Sequence, residues 1–171
     1  MTATLPTRVN DKPSVFISGS IAIRHLPGAV TSRIEAIFDR DLPILIGDAR
    51  GADTAVQRLL FERGAANVTV FTADGFPRNN VGEWQVRNVP GEGRSGTAAY
   101  HAGKDRVMAT EADTGLVVWD GKSRGSLANI RRLCARGCFV AVWMADEGRF
   151  DNLHSDEARA AFAARYPSRS H

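Results

Sequence analysis

Five short apolar runs, Ser14–Ser18, Pro43–Ile46, Val68–Phe71, Gly115–Trp119 and Phe139–Trp143, each lead into another kind of segment and restrict this chain to few folds. The runs do not alternate apolar with polar residues, so they read as strands buried on both faces. Between them, apolar residues recur at helical spacing. Val30, Ile34, Ile37 and Phe38 form one such stripe, and Ala52, Val56, Leu59 and Leu60 a second. Tyr100, Val107 and Met108 mark a third, and Leu127, Ile130, Leu133 and Cys134 a fourth. Strands alternating with helices predict right-handed βαβ units and a mainly parallel sheet of at least five strands. The expected class is therefore α/β: a single-domain, doubly wound sheet flanked by helices. Residues 1–12 read as a tail and 13–145 as the ligand-binding domain. Residues 146–171 read as a polar loop and an alanine-rich helix, from about Ser155 to Arg165, packing on that domain.

At 171 residues the chain is long enough for one domain with a real core. No apolar run approaches the roughly 20 residues that span a bilayer, and the start lacks the apolar region of a signal peptide. The expectation is a cytoplasmic protein with no membrane partner. Net charge is only +3, and no dense basic run marks a nucleic-acid patch. Arg131, Arg132 and Arg136 share a helix, where a solvated face accounts for them. Cys134 and Cys138 lack the further ligands that structural zinc needs and read as small buried residues. No metal site is expected, and no cofactor beyond the Mg²⁺ that a phosphate ligand would bring.

Two of the strand-to-helix junctions carry glycine turns. One is Gly47-Asp48-Ala49-Arg50-Gly51-Ala52-Asp53, the other Asp120-Gly121-Lys122-Ser123-Arg124-Gly125-Ser126. A helix start leaves N–H groups unpaired and carries partial positive charge. Glycine lets a phosphate come close to that backbone. At the carboxyl ends of parallel strands, such turns border the crevice where ligands bind.

In the first turn, Gly47, Asp48 and Gly51 would shape the site and Arg50 would face an anion. Asp53 would bond a ribose hydroxyl or act as acid or base, or simply serve the helix start electrostatically. In the second turn, Gly121, Ser123, Gly125 and Ser126 would offer N–H groups and hydroxyls to phosphate, with Lys122 and Arg124 adding charge. Ser126 as an ordinary N-cap is the plainer alternative. Ser18-Gly19-Ser20 ends the first run at the same edge, near where a base or sugar would lie.

Lys104 shares a helix face with Met108, and His101 lies close by. Residues 73–97, with five glycines and two prolines, form an unusually long loop. There Trp84 would stack on a base while Asn79 and Asn80 read its edge, or the loop would be a packed lid or a subunit contact.

Together the two turns resemble those of the SLOG superfamily of Rossmann-like nucleotide-binding proteins, and most closely its YspA-related branch. That branch carries a G-x-A-R-G-A-D turn and a later W-D-G-K-S-x-G-T turn. The resemblance covers about Val15 to Val142 and implies a Rossmann-like fold. The superfamily includes LOG-type phosphoribohydrolases, which cut the N-glycosidic bond of nucleoside monophosphates. Gly125 and Ser126 match the G-T of their phosphate loop. Asn129 stands where their catalytic glutamate belongs, and Lys104 falls near their arginine. Asparagine cannot supply a carboxylate's charge.

The expectation is thus a sensor or carrier of a nucleotide-like small molecule, held by the two turns with Asn129 toward the sugar. The alternative is a phosphoribohydrolase using Asp53 or Asp120 with Lys104. Nucleic-acid binding, as in the DNA-processing relatives of the superfamily, is expected to be unlikely on the modest charge. Those relatives also imply a homo-oligomer, a dimer or higher.

Overall fold

The computed structural model describes residues 12–168. The tail expected before Lys12, and His171, lie outside the described residues. The elements run β1 (Val15–Gly19), α1 (Gly28–Asp39), β2 (Ile44–Gly47), α2 (Ala52–Glu62), β3 (Val68–Thr72) and β4 (Gln85–Asn88). They continue with α3 (Ala98–Glu111), β5 (Thr114–Trp119), α4 (Arg124–Ala135), β6 (Phe139–Met144), β7 (Arg149–Leu153) and α5 (Asp156–Arg165).

The seven strands form one sheet in the order β4-β3-β2-β1-β5-β6-β7. Every neighbouring pair is parallel except β6 and β7. The chain winds outward from β1 through β2 and β3 to β4, then returns to lay β5 against the other side of β1. In register, Ile17 faces Ile46 on one side and Leu116 on the other. The strand order therefore reverses between β1 and β5, and a crevice opens beyond their carboxyl ends.

Alternate side chains of a strand point to opposite faces, which divides the core into two layers. Ile17, Ile46 and Val70 pack against Val30 and Ile34 of α1 and Val56 and Leu60 of α2. Phe16, Val117 and Val142 pack against Met108 of α3, Ile130 and Leu133 of α4 and Phe162 of α5. Ile17, Ile46, Val70, Val117 and Val142 are all fully buried, and each contributes about 2 kcal/mol of apolar burial. The doubly wound, mainly parallel α/β architecture expected from the sequence is the observed one.

Two strands escape the apolar-run pattern. β4 lies inside the expected long loop, and all four of its residues are exposed. β7 lies in the expected polar loop and pairs antiparallel at the other edge. An edge strand needs backbone partners more than a buried side-chain row, so its sequence can stay polar. No helix among the described residues is long and apolar enough to cross a membrane.

Candidate nucleic-acid interface

The crevice at the β1–β5 reversal has a volume of about 500 Å³. Its floor is the end of β1, with the β2–α2 turn, α3 and the start of α4 as walls.

The β2–α2 turn is closed by the chain itself. Gly51 takes φ +80°, and a Cβ there would lie 2.3 Å from the Ile21 carbonyl oxygen. The Ala52 amide already donates to the Ser20 carbonyl at 3.2 Å. A phosphate expected at this helix start meets the β1–α1 loop instead. Asp48 is fully buried, accepting from the Arg78 amide at 2.9 Å and the Arg78 guanidinium at 2.7 Å. Burial pushes the Asp48 carboxyl up, but the hydrogen bonds and charge of Arg78 outweigh it and hold the group below its usual range. Asp48 therefore braces the turn against the following loop. Arg50 is exposed and is not one of the residues lining the crevice.

Asp53 points inward, accepting from the Ala49 amide at 3.2 Å. Burial pushes its carboxyl up to about 7, against the opposing charge of Lys104 and with help from Asp105 and Asp48. A Cβ on Gly47 would lie 2.8 Å from the Asp53 carboxylate and 3.3 Å from the Lys104 Nζ, so glycine leaves room for both groups. Lys104 is 4% exposed and donates to Asp105 at 3.0 Å. Asn129 links the walls: its amide donates to Ser18 Oγ at 3.0 Å and to Asp105 at 3.2 Å, while its oxygen accepts from Arg132 at 2.7 Å. The structure thus brings Ser18, Lys104 and Asn129 together, but in a network of their own. His101 also lines the crevice. Its Nδ1 is buried without a partner among the described residues. Burial and the charges of Arg78 and Lys104 lower its pKa.

The β5–α4 turn is organised by Asp120 and left exposed. Asp120 accepts from the amides of Lys122 at 2.9 Å and Ser123 at 2.8 Å. Burial raises that carboxyl, but these donors and Ser20 lower it further. Engaged in this way, Asp120 is a turn brace and a poor proton donor. The N-cap of α4 is Ser123, whose hydroxyl accepts from the Ser126 amide at 3.3 Å. Ser126 itself is buried, with its Oγ 3.3 Å from the Ser20 Oγ. Lys122, Arg124 and Gly125 are exposed.

The loop residues read as a base clamp have other work. The Trp84 ring is buried in the core, and its indole N–H donates to the Ala65 carbonyl at 2.7 Å. It presents no free face for stacking. Asn80 holds the Trp84 backbone through both its amide atoms. The Asn79 amide donates to the Asp48 carbonyl at 2.9 Å.

Two arginines on the crevice carried no site signal in the sequence. Arg78 is paired with an aspartate thirty positions earlier. Arg132, expected on a solvated face, lines the crevice with Arg78 and Arg124. Arg136, expected on the same face, instead donates to the Ala109 and Ala112 carbonyls near the end of α3. Among the described residues, no group of three or more histidine, cysteine or acidic side chains is placed to hold a metal ion.

A parallel sheet with helices on both faces and a crevice at its strand-order reversal defines a Rossmann-like fold. Solved structures share it. DNA processing protein A from Helicobacter pylori, known in a single-stranded DNA binding mode, matches with a TM-score of 0.54 and 16% identity. That match covers 77% of this chain and 66% of the other. DNA processing protein A (DprA) from Streptococcus pneumoniae matches with a TM-score of 0.56 and 21% identity, over 77% of this chain and 50% of that one. The chain therefore spans less than two thirds of either protein. No family model matches the chain, and no curated protein does.

These likenesses overturn the expectation that nucleic acid is an unlikely partner, and with it the nucleotide sensor and the phosphoribohydrolase. The Helicobacter protein binds single-stranded DNA. Net charge sums the whole surface, whereas a polyanion responds to the local field. At this edge Arg78, Arg124 and Arg132 converge on one crevice.

Proposed function

We propose that this chain binds single-stranded nucleic acid along the carboxyl edge of its sheet, with the crevice and the exposed start of α4 as the contact surface. The observation that carries this reading is the cluster of Arg78, Arg124 and Arg132 around a crevice whose fold is shared with a single-stranded-DNA-binding protein. Arginine's planar fork suits phosphate oxygens. Further support comes from Asp53. A carboxyl titrating near 7 carries only part of its negative charge at neutral pH, which lessens repulsion of a phosphate. The two turns also support a place in the YspA-related branch of the SLOG superfamily, and relatives there support a homo-oligomeric state.

The test is an anisotropy titration of a labelled oligothymidylate at low salt. The expected result is saturable binding that weakens as salt rises, and weaker binding by Arg124→Glu. Arg124 is exposed, so the charge reversal leaves the core untouched. Absence of binding at low salt overturns the reading.

A further inference from the structure

On the far side of α4 lies a second cleft, of about 830 Å³. Lys122, Arg124, Arg131 and Arg165 line it together with Tyr166, and no carboxylate side chain among the described residues does. Of the acidic groups nearest this region, Glu147 neutralises one lining cation, Arg165, and leaves Lys122, Arg124 and Arg131 without an acidic partner among the described residues. Glu147 is paired with both Arg149 and Arg165. The Asp120 carboxylate is held by the Lys122 and Ser123 amides. Asp146 lies beside the lining residue Gly121, where a Cβ would come within 3.2 Å of it. Lys122 and Arg124 have no ion-pair partner among the described residues. The Arg131 guanidinium donates to the Tyr166 carbonyl, which fixes it at the wall. Tyr166 is itself held edge-on by Trp119, with ring centroids 4.9 Å apart, and the Arg165 guanidinium lies 5.0 Å from its ring centre.

Cations interleaved with a held aromatic ring suit a single strand, whose phosphates need charge and whose bases stack. The two clefts are also adjacent, because Arg124 and Ala128 line both. We propose that a strand seated in the central crevice continues over the first turn of α4 into this second cleft, where Lys122 and Arg131 contact its phosphates. This rests on the nucleic-acid reading above and extends the binding site from one cleft to two.

The test compares the salt dependence of oligothymidylate binding, with strands of about 4 and about 16 nucleotides, in the full chain and its variants. Each lost phosphate contact reduces the slope of log K against log salt by about 0.7. The double variant Lys122→Ala, Arg131→Ala is expected to lower the slope for the long strand by about 1.4. Lys122→Glu, at an exposed position, tests the same contact without touching Tyr166. Arg58→Glu, exposed on α2 away from both clefts, is expected to leave the slope unchanged.

Wild-type protein that binds the long strand with a slope unaffected by both cleft variants overturns the two-cleft path and leaves the central crevice standing. An equal loss in Arg58→Glu overturns it too, since the effect is then mere net charge. Wild-type protein that binds neither strand overturns the underlying reading as well.

Discussion

At the β2–α2 junction the chain fills the approach to its own helix start, while at the β5–α4 junction it leaves that approach exposed. Both junctions are strand-to-helix turns rich in glycine, aspartate and arginine. They differ in what lies across from them. Ile21 from the β1–α1 loop sits against Gly51, and Arg78 from the β3–β4 connection closes over Asp48. Nothing lies within 4 Å of a Cβ placed on Gly125. A turn's sequence thus sets its local shape, and the elements packed against it decide whether a ligand can reach it.

The contrast predicts unequal responses to equal substitutions. The largest is at Gly51. Adding a methyl group there forces an unfavourable positive φ and a clash with the Ile21 carbonyl, and Gly51→Ala is expected to cost about 4 kcal/mol in urea unfolding. A loss below about 1 kcal/mol would show that the Ile21 loop yields easily and that the β2–α2 turn is not closed.

Asp53 gives the next largest effect, and it depends on pH. Its folded pKa of about 7 lies above that of an unfolded aspartate. As pH rises from about 4, the unfolded state ionises first and holds fewer protons than the native state, so stability falls. The fall is complete once pH passes the folded value. Asp53→Asn is expected to flatten this decline, gaining roughly 3.5 kcal/mol over wild type at pH 8 relative to pH 4. Parallel pH–stability curves for the two proteins would place the Asp53 carboxyl in water.

At the exposed junction the effects are smaller. Ser123→Ala removes the N-cap of α4 and is expected to cost about 1 kcal/mol. Ser126→Ala leaves that cap intact, so a greater loss of helix stability there would return the cap to Ser126. Gly125→Ala meets open space inside a helix and is expected to stabilise by about 0.5 kcal/mol. Destabilisation at Gly125 would remove the contrast with Gly51 altogether.

The central architecture was legible in the sequence because strands buried on both faces cannot hide their apolar residues. The edges were not. β4 reads Gln85-Val86-Arg87-Asn88, fully exposed, and β7 reads Arg149-Phe150-Asp151-Asn152-Leu153. Nothing in either separates a polar edge strand from a loop. At the site, the turns and the Lys104 face were visible because they are local in sequence. The pairing of Arg78 with Asp48 and the turning of Arg132 into the crevice depend on tertiary placement, which spacing along the chain does not encode. Trp84 shows the reverse problem. An aromatic residue in a polar loop suggests a stacking platform, yet burying its ring and satisfying its N–H stabilises the fold in the same way as any core tryptophan.

The most direct test is to map oligothymidylate binding on backbone amide resonances of the full chain. The account predicts shifts along Lys122 to Asn129, and at Arg78 and Arg132, while the amides of Gly51 and Ala52 stay in place behind Ile21. Shifts centred on Gly51 and Ala52 with the β5–α4 turn unmoved would contradict it.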